Sequence, residues 1–323
     1  MRTRLTDLLG IRHPIVEGGM QWVGRAELAA AVSNAGALGM ISARTQPDPQ
    51  ALLREITRAR ALTQAPFGVN LSLPLIGAAL EHTPWVDAIV QGGVRVVETA
   101  GNKPHAVIAA LKAHRVTVIH KCTSLRHALS AERIGADIVS IDGFEAAGHI
   151  GEDDVGSMVL VPLVRRQLRI PVIASGGIAD GAGMAAALAL GADGVNLGTR
   201  FMLTRESPVH DALKRAMLAS DVCATLLIKR SLRRTGRFFR NAVSEQILAR
   251  ENRPGGTSHE ELRGLLSAAG AAQAYGDGLV DAGVVCASQV VGLVNDMPSC
   301  AELVARMATE CRAALEAARA LAA

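Results

Sequence analysis

Aromatic side chains make up only 2% of the sequence. A protein that grips single-stranded nucleic acid stacks bases on exposed rings, so this scarcity argues against such a binder. Charge does not replace the rings. The formal net charge is only +4, and the basic residues are spread along the chain with no groove-reading motif. Cysteine is thin as well. Cys122, Cys223, Cys286, Cys300 and Cys311 form no Cys-x-x-Cys pair, and no histidine stands at zinc spacing from them. Structural zinc and iron–sulfur sites are therefore not expected, and the set fits a reducing compartment. No uncharged apolar run is long enough to span a bilayer, and Met1–Gly10 has no apolar signal core. The expectation is a cytoplasmic chain with no membrane insertion, no nucleic-acid partner and no metal.

Small apolar residues are plentiful. Short apolar runs bounded by Gly, Pro or Asp alternate with longer Ala/Leu/Arg stretches of helical period, the pattern of βαβ units on a parallel sheet. The runs predict strands at Pro14–Glu17, Leu38–Ser42, Phe67–Leu71, Val94–Thr99, Thr117–Lys121, Ile138–Ile141, Val172–Ala174 and Gly194–Leu197. Helices are predicted near Arg25–Ala35, Pro49–Ala61, Pro84–Gln91, Pro104–Ala113, Ser124–Ile134, Gly156–Leu168 and Gly181–Leu190. Eight such units without a central break favour a closed (β/α)8 TIM barrel over an open doubly wound sheet. Beyond Glu206 helix formers dominate. The expected division is a barrel over residues 1–205 and an all-α lobe over residues 206–323 that covers the barrel mouth.

Barrel chemistry sits where strands end at their C-terminal side. The loops after strands 7 and 8 carry Ser175-Gly176-Gly177 and Gly198-Thr199-Arg200. Small residues let backbone N–H groups reach a phosphate, and the hydroxyls of Ser175 and Thr199 are further donors. The same glycines are also what tight turns need. Their spacing is not that of a Rossmann fingerprint. Lys121 ends strand 5 and points into the mouth. It is read as an ion-pair partner of Glu98 or Asp142, as the cation beside a flavin, or as a Schiff-base lysine. His149 lies in Gly148-His149-Ile150-Gly151-Glu152, where it is either a general base or a plain surface histidine. The basic run Lys229-Arg230, Arg233-Arg234, Arg237 and Arg240 reads as a solvated helix face or as a patch for an anionic substrate or carrier.

Several segments resemble the nitronate monooxygenase family, formerly 2-nitropropane dioxygenases. They are Pro14-Ile15-Val16-Glu17-Gly18-Gly19-Met20-Gln21-Trp22-Val23-Gly24, Phe67-Gly68-Val69-Asn70-Leu71 and His120-Lys121-Cys122. Asp142-Gly143-Phe144-Glu145 with Gly148–Glu152, and Ile173-Ala174-Ser175-Gly176-Gly177-Ile178, complete the set. The resemblance implies an FMN-dependent barrel. It assigns flavin contacts to Gly19, Met20, Gln21, Ser72, Lys121, Asp142 and Ala147, the phosphate cradle to Ser175, Gly177, Gly198 and Thr199, and catalysis to His149. The implied activity is oxidation of alkyl nitronates with O2. The family's NAD(P)H:quinone reductases and the similar FMN-dependent enoyl-acyl-carrier-protein reductases are the alternatives. A small-molecule substrate follows, and a homodimer is the assembly considered. Two departures stand out. Glu17 replaces the usual Gln and would place a carboxylate near the flavin, and Leu73-Pro74-Leu75-Ile76-Gly77 differs from the mouth segment of the quinone reductases.

Overall fold

A computed structural model describes residues 1–73, 81–102 and 104–321. Its strands are β1 (Ile15–Glu17), β2 (Gly39–Ser42), β3 (Phe67–Ser72), β4 (Val96–Ala100), β5 (Thr117–Cys122), β6 (Ile138–Asp142), β7 (Gly148–His149), β8 (Val172–Ser175), β9 (Gly194–Leu197), β10 (Thr225–Ile228) and β11 (Gly236–Phe239). Eight of them form one parallel sheet in the order β1-β9-β8-β6-β5-β4-β3-β2. A parallel bridge between Val16 and Leu38 brings the two sheet edges together, with Glu17 N donating to the Leu38 carbonyl at 2.8 Å. The fold is the expected (β/α)8 TIM barrel. All eight barrel strands lie within a residue or two of the predicted segments.

The pleat explains both the core and the site. Side chains alternate between the two faces of a strand. The outward set, such as Val69, Val97, Val139, Ile141, Val172 and Val195, packs against the helices. The inward set begins apolar. Val16, Leu38, Met40, Val96, Ile119, Ile138 and Ile173 fill the lower barrel, plugged by Leu5 and Leu9 of the N-terminal helix Arg4–Leu9. That helix was not foreseen. Further along each strand, toward its C-terminal end, the inward positions turn polar, giving Asn70, Glu98, Lys121, Asp142, Ser175 and Asn196. The barrel therefore has an oily floor and a polar ceiling.

The helices start where the sequence can satisfy free N–H groups. Asp48, Ser124 and Asp180 accept from Ala51 N, His127 N and Gly183 N. After β9 only a four-residue helix, Thr199–Met202, follows. The long helix Cys300–Leu321 instead packs against Gly181–Ala189 and Ala26–Asn34. Its buried Leu303, Val304, Met307 and Cys311 belong to the main core.

The C-terminal lobe is mainly helical but not all-α, which corrects the expectation. β10 and β11 form an antiparallel hairpin, and β11 pairs with β7, placing Gly236 opposite His149. The basic run is likewise not one solvated helix face. It lies on this hairpin and its turn, with Lys229 and Arg237 buried. Pro74–Gly77 of the departing mouth segment lies outside the described residues.

Candidate active site

The polar ceiling is a connected network around Glu98. Its Oε1 accepts from Asn70 Nδ2 at 2.7 Å and from Gly19 N at 3.2 Å, and its Oε2 accepts from Asn196 Nδ2 at 3.2 Å. The carboxyl is fully buried, and burial pushes its pKa up against the pull of Lys121 and these donors. Lys121 Nζ lies 2.9 Å from Asp142 Oδ1, 4.0 Å from Glu98 Oε2 and 3.2 Å from Ser175 Oγ. Burial lowers the lysine's pKa, but Asp142 and Glu98 more than compensate, so the ammonium is held firmly. Three strands thus converge on the cation of a fourth, and the ion-pair reading of Lys121 holds with both acids. Asn70 was read only as part of a strand-end segment and Asn196 not at all, because an amide in a strand carries no signal until its register is known.

Gly19 sits where a Cβ would lie 2.2 Å from the Asn70 side chain, so only glycine lets the loop after β1 close over the network. Met20 reaches Gly198 from that loop, its Sδ 3.6 Å from where a Cβ would stand. The loops after β1 and β9 therefore meet. Gln21 points elsewhere, its Nε2 donating to the Arg44 carbonyl. Ser72 Oγ donates to Asn70 Oδ1 at 2.9 Å, and Thr199 Oγ1 accepts from Ser288 N at 2.9 Å. Gly176 and Gly177 have φ of +87° and +77°, which glycine adopts without strain. Among the described residues, no carbonyl or side chain accepts from the N–H of Gly176, Gly177 or Gly198.

Glu17 is not the mouth carboxylate that the sequence suggested. It is fully buried, and strand alternation puts it on the outward side with Ile15. Its Oε2 accepts from Met40 N at 2.9 Å, while Oε1 has no partner among the described residues. Burial raises its pKa well above the usual carboxylate value, with Glu98 adding to the effect.

His149 enters from the lobe side, on the two-residue strand β7. The residue is exposed, with Nε2 3.2 Å from Lys229 Nζ. Crowding, then the Lys229 and Arg234 cations, press its pKa down to about 4. At neutral pH the imidazole is uncharged. Ala147 precedes it, part-buried, with no side-chain hydrogen bond to give. A separate open cavity of about 240 Å³, lined by Gly10, Arg12, Ser33 and Asn34, lies at the opposite, N-terminal ends of the strands. Barrel chemistry is not found at that end.

A family profile described as nitronate monooxygenase matches residues 2–310. The chain belongs to the nitronate monooxygenase family. It is thus an oxidoreductase of that family. It is 35% identical to a Mycobacterium tuberculosis (3aS,4S,5R,7aS)-5-hydroxy-7a-methyl-1-oxo-octahydro-1H-indene-4-carboxyl-CoA dehydrogenase over 99% of both chains. It is 34% identical to a probable nitronate monooxygenase of Staphylococcus saprophyticus, over 70% of this chain and 75% of that one. Among solved structures, FabK from Thermotoga maritima superposes with a TM-score of 0.91 at 36% identity, covering 99% of each chain. A nitroalkane oxidase from Streptomyces ansochromogenes gives 0.82 at 28% identity, covering 97% of this chain and 99% of the other. Family membership therefore spans several named chemistries.

Proposed function

We propose that this chain is an FMN-dependent oxidoreductase that adds or removes hydrogen at the carbons beside a thioester carbonyl, on a coenzyme A or carrier-protein ester. The observation that carries the reading is the His149–Lys229 pair at the mouth. Both a thioester enolate and a nitronate are carbanions whose charge rests on oxygen, and an N–H donor backed by an ammonium suits that oxygen. Between the two, likeness to a CoA-thioester dehydrogenase over 99% of both chains, lobe included, supports the thioester. The nitronate reading expected from sequence is kept second, supported by the nitronate monooxygenase and nitroalkane oxidase relatives.

The residues present fit FMN. Among the described residues the N–H groups of Gly176, Gly177 and Gly198 meet no protein acceptor, and they suit its phosphate. Gly19 and Met20 would border the ring, with Ser72, Asp142 and Ala147 on the other strand ends. Lys121 would be the cation that offsets charge on the reduced ring. Bound FMN would supply the hydride acceptor or donor. The protein's own part is to hold the substrate oxygen at His149 and to keep the Glu98–Lys121–Asp142 charges fixed.

The test is anaerobic mixing of the FMN-loaded chain with each donor in turn, following the long-wavelength flavin band. Bleaching by an acyl-CoA supports the dehydrogenase direction. Bleaching by NADH or NADPH, reversed by an enoyl thioester, supports the reductase direction, and reversal by a quinone alone supports a quinone reductase. Bleaching only by an alkyl nitronate transfers the assignment to the second reading. No bleaching by any of them rejects all of these reactions.

A further inference from the structure

Lys229 is the oddest cation in the molecule. It follows β10 with φ of +66°, a region that non-glycine residues enter at a cost. It is 8% exposed, and among the described residues no carboxylate lies within ion-pair distance of its Nζ. Buried lysines normally find an acid. Here the ammonium has a ring and an imidazole, lying 4.7 Å from the Phe238 centroid and 3.2 Å from His149 Nε2. The nearby Glu251 does not neutralise it. Its Oε2 accepts from the Lys229 backbone N at 2.6 Å, and its Oε1 accepts from the backbone N and Oγ of Ser231. The other titratable or charged groups that face the pair are Arg234 and the Cys286 thiol. An unpaired ammonium in a strained backbone is held there by something other than charge balance.

An ammonium has three donors and no acceptor. A contact with His149 Nε2 therefore requires that nitrogen to present its lone pair, which places the imidazole proton on Nδ1. Among the described residues no protein group bonds Nδ1, and the residue is exposed.

We propose that Lys229 is the positioning residue of His149: its ammonium fixes the neutral imidazole as the Nδ1–H tautomer, so His149 meets the substrate oxygen as a hydrogen-bond donor and not as a general base. This rests on the reading that substrate approaches at His149. It also reverses the general-base role that the loop sequence suggests. Lys229 would not itself touch the reacting atoms. It would act by choosing which nitrogen carries the proton.

The experiment is long-range 1H–15N NMR on the full, FMN-loaded chain labelled at histidine, with His149 assigned by the signal missing in His149→Gln. At pH 7 the wild type is expected to show the Nδ1–H pattern. In Lys229→Met the signal is expected to move to the Nε2–H form, and its titration midpoint to rise by about one unit as the neighbouring cation is lost. Lys229→Arg, which keeps a donor cation, is expected to restore the Nδ1–H form and guards against a misfolded methionine variant. An Nε2–H pattern in the wild type overturns the proposal, and so does an Nδ1–H pattern unchanged in Lys229→Met. A wild-type chain with the Nδ1–H tautomer that no donor reduces would reject the proposed reaction and leave this assignment standing.

Discussion

Removing the Lys121 ammonium leaves Asp142 and Glu98 as neighbouring acids in a buried layer, with Glu98 at 0% exposure. Breaking a buried pair from one side costs roughly 3–5 kcal/mol, because a charge remains without its partner. Lys121→Met is therefore expected to lower the denaturation midpoint sharply, and Lys121→Met with Asp142→Asn to recover part of the loss. A fully additive pair would show that the contact is not energetically coupled. His120 contributes a pH signature in a window it shares with His149. Its ring is buried beside Thr99 Oγ1 at 2.8 Å, and burial, with the His127 charge adding, lowers its pKa to about 4. The unfolded chain binds this proton near pH 6.5 and the folded chain only near 4. Stability is thus fully present above 6.5 and falls as pH drops toward 4, by at most about 3 kcal/mol. Urea midpoints across that window should lose part of their slope in His120→Gln, the rest remaining with His149, whose pKa is pressed to the same value. At His149, substitution by Ala removes the donor from the mouth. A loss of about 10²–10³ in kcat is expected, comparable to losing one oxyanion donor, read with whichever substrate reduces the flavin.

The β10–β11 hairpin is the element that pairs with β7, the short strand after β6 that carries His149. Arg237 fastens it. Its guanidinium donates to the Phe144 carbonyl at 3.0 and 3.3 Å and to Thr225 Oγ1 at 3.1 Å, and it stacks 4.6 Å from the Phe144 ring. Arg237→Met would leave that carbonyl unmet and loosen the pairing of Arg237 with Gly148. A stability loss of about 2–4 kcal/mol is expected, together with faster proteolysis in the loop after β6. A variant with wild-type stability and cleavage would show that the staple is not needed. The barrel strands were legible because their periods and bounding glycines are local. This hairpin was not, since Thr225–Ile228 and Gly236–Phe239 are four residues each and flank a stretch rich in arginine. Nothing local says that Lys229 and Arg237 turn inward. The partners that bury them, His149 and Phe144, lie about eighty and ninety residues away in sequence. Lys121 and His149 could be picked from strand and loop ends. The role of Glu98 at the centre of the network needed the pleat and the register.

At the scale of the whole molecule, the barrel is completed by the last helix of the chain. Eight strands need helices all round, and the short Thr199–Met202 cannot cover the seam between β9 and β1. Cys300–Leu321 lies there instead, against Ala26–Asn34 and Gly181–Ala189. The approach is close enough that a Cβ on Gly181 would stand 2.5 Å from both the Met307 carbonyl and Cys311 N. The chain therefore leaves the barrel after β9, builds the lobe and returns, so that the lobe is anchored at both ends. This geometry makes the barrel dependent on its last residues. Met307 is fully buried in the seam, and Met307→Ala should cost roughly 2–5 kcal/mol through lost contacts and a residual cavity. For a protein of this size each kcal/mol moves Tm by about 2–4 °C, so thermal scans should show a fall of order 10 °C. Ending the chain after Ser299 removes the same contacts along with Leu303, Val304 and Cys311, and is expected to yield no cooperatively folding protein. A truncated chain that melted near the full-length temperature would mean that the seam is closed by something other than this helix.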